Sequence, residues 1–341
     1  MYLQSLASAF PEARYTQKES WKALVDGNAL EPLSRKARRI LDVVLNGDSG
    51  IETRHFAIVP PKLFTLNAEE LNNAFEAEAP KLATAALEKA CLPLGVKPEE
   101  IDALFVCTCT GYLCPGVTSY VAERFGLRED AYLNDVTGLG CGAAIPTLHA
   151  AECFLAAHPD ALVATVAVEI CSAAFYVDED TGVLVSACLF GDGASASLWR
   201  SSGTTDQWRA HNFQSLHVPA EREKIRFVNA GGKLRNKLDR AVPQVAASAV
   251  EKLFARRSID PDRIIAHTGG RDVIDELEKT LPAKYPLEET RDALRLYGNL
   301  SSPSVLLSLE GRLAKNLDDR HLWLTSFGAG FCAYSCELTK G

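Results

Sequence analysis

Residues 101–109 and 162–170 are apolar almost without a break over the length of a β-strand. A strand with one wet face alternates apolar and polar residues, so runs like these need cover on both faces. Helical segments supply that cover. Leu71, Phe75, Leu82, Ala86 and Leu87 mark a helix over 71–90, and the same reasoning predicts helices over 17–25, 32–44, 117–125 and 143–157. Further strands are expected over 1–10, within 50–59 and over 131–136. In the second half, helices are expected over 234–255 (interrupted at Pro243), 273–281, 287–296 and 303–313. Short strands are expected at 263–266, 321–326 and 331–338. The Ser301–Ser302 pair reads as the N-cap of the 303–313 helix, with Pro303 in its first turn. Buried strands alternate with helices in both halves, which defines an α/β protein. The small, polar stretch 201–206 divides the chain into residues 1–205 and 206–341.

At 341 residues and 47% hydrophobic content the chain can bury a large core. Its 36 basic and 44 acidic residues leave a net charge of -8, which argues against a nucleic-acid-binding surface. No run reaches the roughly 20 apolar residues of a membrane span. The N-terminus lacks the basic residues that open a secretory signal, so a cytoplasmic location is expected. Ten cysteines occur without paired C-x-x-C spacing, which favours reduced thiols over a disulfide framework or a metal site. The most basic segment holds Arg35, Lys36, Arg38 and Arg39. It suits a solvated helix face or a landing site for a substrate's phosphates.

The stretch 136–144, Val-Thr-Gly-Leu-Gly-Cys-Gly-Ala-Ala, carries one cysteine between two glycines, after a strand and before a helix. At a helix N-terminus the unpaired N–H groups and the dipole favour an anion, so Cys141 there is expected to lose its proton more readily. A small buried core cysteine fits the same stretch equally well. Ile264-Ile-Ala-His-Thr-Gly-Gly runs a buried strand straight into His267, a suitable partner to activate a thiol. In Leu296-Tyr-Gly-Asn-Leu-Ser-Ser, Asn299 follows a glycine just before a helix. Its amide either donates to a developing oxyanion or shapes a turn. The loop Ser326-Phe-Gly-Ala-Gly either brings backbone near a ligand or simply turns the chain.

Six ordered segments together resemble the type III polyketide synthases, the chalcone-synthase-like branch of the thiolase superfamily. They are Gly-Ile-Glu-Thr-Arg-His-Phe (50–56), Gly-Leu-Gly-Cys-Gly-Ala (138–143), Leu-Phe-Gly-Asp-Gly-Ala (189–194), Ala-His-Thr-Gly-Gly (266–270), Tyr-Gly-Asn-Leu-Ser-Ser (297–302) and Phe-Gly-Ala-Gly (327–330). The resemblance implies a homodimer whose subunit is two related thiolase halves in a layered αβαβα sandwich. It carries the nucleophile onto Cys141 and the decarboxylation and oxyanion roles onto His267 and Asn299. The substrates implied are malonyl-CoA and an acyl-CoA starter, with no cofactor and no metal.

The same resemblance makes Phe190 a gatekeeper between the coenzyme A tunnel and an inner cavity. It places Cys109, Cys171, Ala174, Ser301 and Gly328 around that cavity. A cis Cys114–Pro115 bond is implied, with the Cys114 side chain reaching the neighbouring subunit's cavity. Coenzyme A contacts fall among Arg35, Lys36, Arg38 and Arg39. Cysteines at 109 and 171, where plant chalcone synthases have threonine, look more like the bacterial branch, the tetrahydroxynaphthalene synthases among them. A second gatekeeper phenylalanine has no counterpart within 234–238. A single-condensation ketoacyl synthase III-like enzyme and a catalytically idle partner subunit are the alternatives.

Overall fold

The computed structural model describes residues 1–62, 65–176 and 178–341. The first half runs β1 (Tyr2–Ala9), β2 (Arg14–Thr16), α1 (Gln17–Asp26), α2 (Arg35–Asn46), β3 (Thr53–His55), α3 (Ala68–Cys91), β4 (Ala103–Cys107), α4 (Val117–Phe125), β5 (Tyr132–Val136), α5 (Ala144–Ala157), β6 (Val163–Glu169), α6 (Thr181–Leu189) and β7 (Gly193–Arg200). The second runs β8 (Arg209–His217), β9 (Ile225–Ala230), β10 (Lys233–Leu238), α7 (Val242–Phe254), β11 (Arg263–Ala266), α8 (Arg271–Thr280), α9 (Glu288–Tyr297), α10 (Ser304–Leu313), β12 (His321–Gly328) and β13 (Cys332–Thr339).

Nine strands join in the order β11-β12-β13-β8-β1-β7-β6-β4-β5. From β1 outward the pairing is antiparallel to β7, antiparallel again to β6, then parallel to β4 and β5. From β8 outward it repeats: antiparallel to β13, antiparallel to β12, parallel to β11. The two sets meet where Tyr2 of β1 faces Arg209 of β8.

Alternating strand residues feed opposite layers. Leu104 and Val106 of β4 meet Phe75, Ala83 and Leu87 of α3 on one side. Phe105 and Cys107 meet Ile145 and Leu148 of α5 and Val305 and Leu306 of α10 on the other. From the second half, Ile265, Leu322 and Leu324 face those same middle helices. Ile264, Ala266 and Trp323 turn instead to Val250, Leu253, Ile274 and Leu277 of α7 and α8. Five layers result, an αβαβα sandwich. Both middle helices are reached from turns that carry candidate residues: Cys141 precedes α5 and Asn299 precedes α10.

Several elements depart from the expected ones. Residues 234–255 do not form one helix. Gly231 and Gly232, at φ 58° and 75°, make a two-residue turn of the kind whose twist suits a hairpin, and β9 and β10 pair across it. Pro243 then sits in the first turn of α7, where its missing N–H costs no hydrogen bond. Strand β8, rich in polar residues, was not expected. Strand β4 ends at Cys107, so Cys109 lies in the loop beyond it. Ser301 and Ser302 do not cap α10; both hydroxyls point to Glu169 instead.

Candidate active site

The turn bearing Cys141 is a piece of backbone wedged against another. Gly140 takes φ 60°, and the one-turn helix 140–142 leads into α5. Behind it, a Cβ on Gly328 would lie 2.6 Å from both Gly142 N and Leu139 O. Ser326 Oγ donates to Gly142 O at 2.9 Å. Gly328 therefore backs the turn that carries Cys141. The fit holds Cys141 in place, and the residue is 7% exposed.

His267 follows directly on β11, its N–H donating to Thr325 O at 2.9 Å. The ring stands edge-on to Phe327, centroids 5.1 Å apart, and its buried Nδ1 has no hydrogen-bond partner in the structure. Asn299 is fixed at both ends of its amide. Its Oδ1 accepts from Ser301 N at 2.8 Å and its Nδ2 donates to Gly269 O at 3.1 Å. With the oxygen so occupied, the second amide hydrogen is left to donate. A backbone bridge ties Asn299 to Phe190.

These residues share one tunnel of about 590 Å3, lined by Cys141, Phe190, His267, Asn299 and Phe327 among others. Its electrostatics are dry. Burial pushes the Cys141 thiol up to about 12; Ser301 Oγ, donating to Sγ at 3.2 Å, pulls it back, and Glu169 raises it further. Proton loss made easier by the helix N-terminus is thus not what the resting protein has, because desolvation outweighs it. Burial likewise holds the His267 imidazole down at about 3. The resting pair is a neutral thiol and a neutral imidazole.

Beside Phe190 lies a second, narrower cavity bordered by Cys171, Ala174 and Ser301 among others. Cys109 Sγ is 3.2 Å from the same Ser301 hydroxyl. Burial raises the Cys109 and Cys171 thiols well above the ordinary value, as it does that of Cys141. The Cys114–Pro115 bond is cis, and Cys114 is exposed at the surface of the subunit. The α2 basic cluster lies apart from the tunnel. Arg35, Arg38 and Arg39 border an open groove of about 730 Å3 with Trp21. Arg38 is spent on Leu33 O and Glu31 O, and Arg39 on Asp42. Val43 and Val44, further along α2, border the tunnel, as do Arg240 and Arg271. Lys36, seven residues before Val43, shares its face of the helix.

Two residues escaped the sequence reading. Fully buried Glu169 accepts from Thr108 Oγ1, Cys109 N, Thr110 N and Oγ1, Ser301 Oγ and Ser302 Oγ, at 2.6–3.3 Å. It sets the hydroxyl that touches Cys141. A lone carboxylate closing the apolar run 162–170 was the available signal. Buried Arg54 donates to Ala187 O and Phe190 O at 2.7 and 2.8 Å, and to Gln17 Oε1 at 2.9 Å. It fixes the end of α6, and with it Phe190. Among the described residues no group of His, Cys, Asp or Glu is arranged to hold a metal ion.

Residues 28–226 match the family described as FAE1/type III polyketide synthase-like protein. The chain is 30% identical to 1,3,6,8-tetrahydroxynaphthalene synthase of Streptomyces peucetius subsp. caesius, over 96% of this chain and 89% of that one. It is 26% identical to phloroglucinol synthase of Pseudomonas fluorescens, over 95% of each. The solved structure of 1,3,6,8-tetrahydroxynaphthalene synthase from Streptomyces coelicolor A3(2) matches the fold with a TM-score of 0.87 at 24% identity, covering 100% of this chain and 99% of that one. The chain belongs to the FAE1/type III polyketide synthase-like family and has its thiolase fold.

Proposed function

We infer that the protein is a type III polyketide synthase, an acyltransferase that extends a CoA-linked starter with malonyl-CoA and cyclises the chain to a small aromatic or pyrone product. The observation that carries this reading is that Cys141, His267 and Asn299 line one tunnel. In the loading step, the Cys141 sulfur attacks the starter thioester as its proton passes to the His267 imidazole. The carbon–sulfur bond to CoA breaks, and CoA leaves with that proton. In extension, malonyl-CoA loses CO2 and the electron pair left behind becomes an enolate. The free Nδ2–H of Asn299 and a ring N–H of His267 donate to its oxygen, stabilisation of a kind that removing one donor weakens by about 2.7–4 kcal/mol. A neutral imidazole suits this step, since it donates without handing the enolate a proton. The enolate carbon then attacks the Cys141 thioester and the cysteine leaves. The lengthened chain, now on CoA, returns to Cys141 for the next round.

The chemistry rests on these side chains and on CoA thioesters, and calls on no cofactor or metal. Arg35, Lys36 and the tunnel-lining Arg240 are the cations available to the CoA phosphates, with Arg271 beside them but paired to Asp48 and Asp272. A homodimer, formed along the β5 edge and the loop carrying Cys114, and a cytoplasmic location complete the reading. No helix among the described residues is long and apolar enough to cross a membrane. Incubation with malonyl-CoA and a panel of acyl-CoA starters, read by mass spectrometry, tests the reading. Pyrones or phenols built from several malonyl units are expected. A single β-ketoacyl product would point to the one-condensation alternative, and the absence of malonyl decarboxylation would refute both.

A further inference from the structure

His267 and Asn299 stand on two separate pieces of backbone outside the helices and strands. Residues 267–270 join β11 to α8, with Gly269 and Gly270 at φ 50° and 140°. Residues 298–303 join α9 to α10, with Gly298 at φ 72° and Ser301 at φ 60°. A positive φ is costly for serine, so that turn persists only where its surroundings impose it. The histidine has no orienting partner of its own either. A base is ordinarily aimed by a third group, yet the buried Nδ1 takes no hydrogen bond. The ring points where its backbone and the edge-on Phe327 put it.

Two links join these pieces. Asn299 Nδ2 donates to Gly269 O at 3.1 Å. Thr268 Oγ1 donates to Ser304 Oγ at 3.1 Å, and the same Ser304 oxygen accepts from Leu300 N at 3.0 Å. One hydroxyl at the start of α10 thus receives the residue after His267 and the residue after Asn299. Thr268 and Ser304 are both fully buried, where no water competes for their hydrogen bond. Just ahead of the histidine, Thr290 Oγ1 of α9 accepts from Ala266 N at 3.2 Å and donates to Ala266 O at 3.1 Å. The chain entering His267 is therefore fixed, and the Thr268–Ser304 link decides how the two donors sit relative to each other.

We propose that Thr268 and Ser304 are positioning residues that hold the two oxyanion donors in register, His267 through Thr268 and Asn299 through Leu300. The inference rests on the polyketide synthase reading of this site. It concerns malonyl-CoA decarboxylation, the step in which both donors act on one oxygen.

The test measures the release of labelled CO2 from malonyl-CoA, on proteins whose melting curves show that they fold. Thr268→Val removes the hydroxyl at nearly the same volume. A donor displaced by an ångström costs on the order of a hundredfold in rate, so kcat should fall about ten- to a hundredfold with KM little changed. Thr268→Ser keeps the hydroxyl and should restore most of the rate. Ser304→Ala takes the acceptor from both Thr268 and Leu300 and should lose at least as much as Thr268→Val. The double variant should fall no further than Ser304→Ala, since both substitutions break one link. Folded single variants with the wild-type kcat overturn the proposal, as do additive losses, a loss seen only in KM, or a loss that Thr268→Ser shares. If Thr268→Val does not fold, Ser304→Ala decides by the same kcat criterion. A wild type that releases no CO2 overturns the polyketide synthase reading, and this proposal falls with it.

Discussion

At the residue scale, two forces act on Cys141 and they oppose each other. Its place before α5 favours a thiolate, and its burial disfavours one. Burial wins, and the thiol rises to about 12. Alkylation of the resting enzyme by iodoacetamide should therefore climb with pH past the ordinary thiol value of 9.0 instead of levelling off below it. A plateau in the neutral range would mean a pre-formed thiolate and a different activation step. In the proposed mechanism, activation then belongs to the substrate complex rather than to the resting enzyme. Roles within the site also separate by substitution. Cys141→Ala should abolish condensation, since nothing then holds the starter. Cys141→Gln should still release CO2 from malonyl-CoA, because His267 and Asn299 remain. Chain extension by Cys141→Ala would remove the cysteine from the nucleophile's role. That Cys141, His267 and Asn299 sit at glycine-marked junctions was legible in the sequence, and the structure brings the three to one tunnel. Glu169 and Arg54 were not, because a charged residue inside a core earns its place through partners far away in the chain.

At the element scale, the site is made by backbones in contact. The segment 326–329 lies against the turn 139–142 so closely that Gly328 has no room for a methyl group. Gly328→Ala must push the Cys141 turn aside by a fraction of an ångström to an ångström. A misplacement of that order costs about a hundredfold in rate. The expected result is a kcat lowered by about two orders of magnitude with KM for malonyl-CoA little changed, measured by steady-state kinetics on protein that melts normally. Full activity would show that the turn yields without moving its sulfur. The helices and buried strands of this scaffold follow from periodicity. The β9–β10 ribbon does not: its strands are half-exposed and carry Lys233, Arg235, Asn236 and Lys237, so neither alternation nor apolar content announces them. The Gly231–Gly232 pair was the one local signal. β8 was missed for a related reason, since it is rich in polar residues and only Ala210 along it is buried, so alternation announces no apolar face.

At the scale of the whole molecule, the nine-stranded sheet ends on one side at β5. Sheet edges in monomers are blunted by charge, proline or a covering segment, because a bare edge invites pairing. Here Tyr132 and Leu133 begin the strand exposed, and Tyr112, in the neighbouring loop after β4, is 80% exposed. Cys114, at the cis bond in that loop, is exposed as well. An exposed apolar edge beside a projecting loop fits a second copy related by a twofold axis, which would also bring Cys114 toward the partner's cavity. Light scattering on the eluting protein should give the mass of a dimer. Leu133→Asp, which sets like charges face to face across such an axis, should shift it toward the monomer. A monomeric wild type would detach Cys114 from product control and leave the inner cavity's walls to one chain alone.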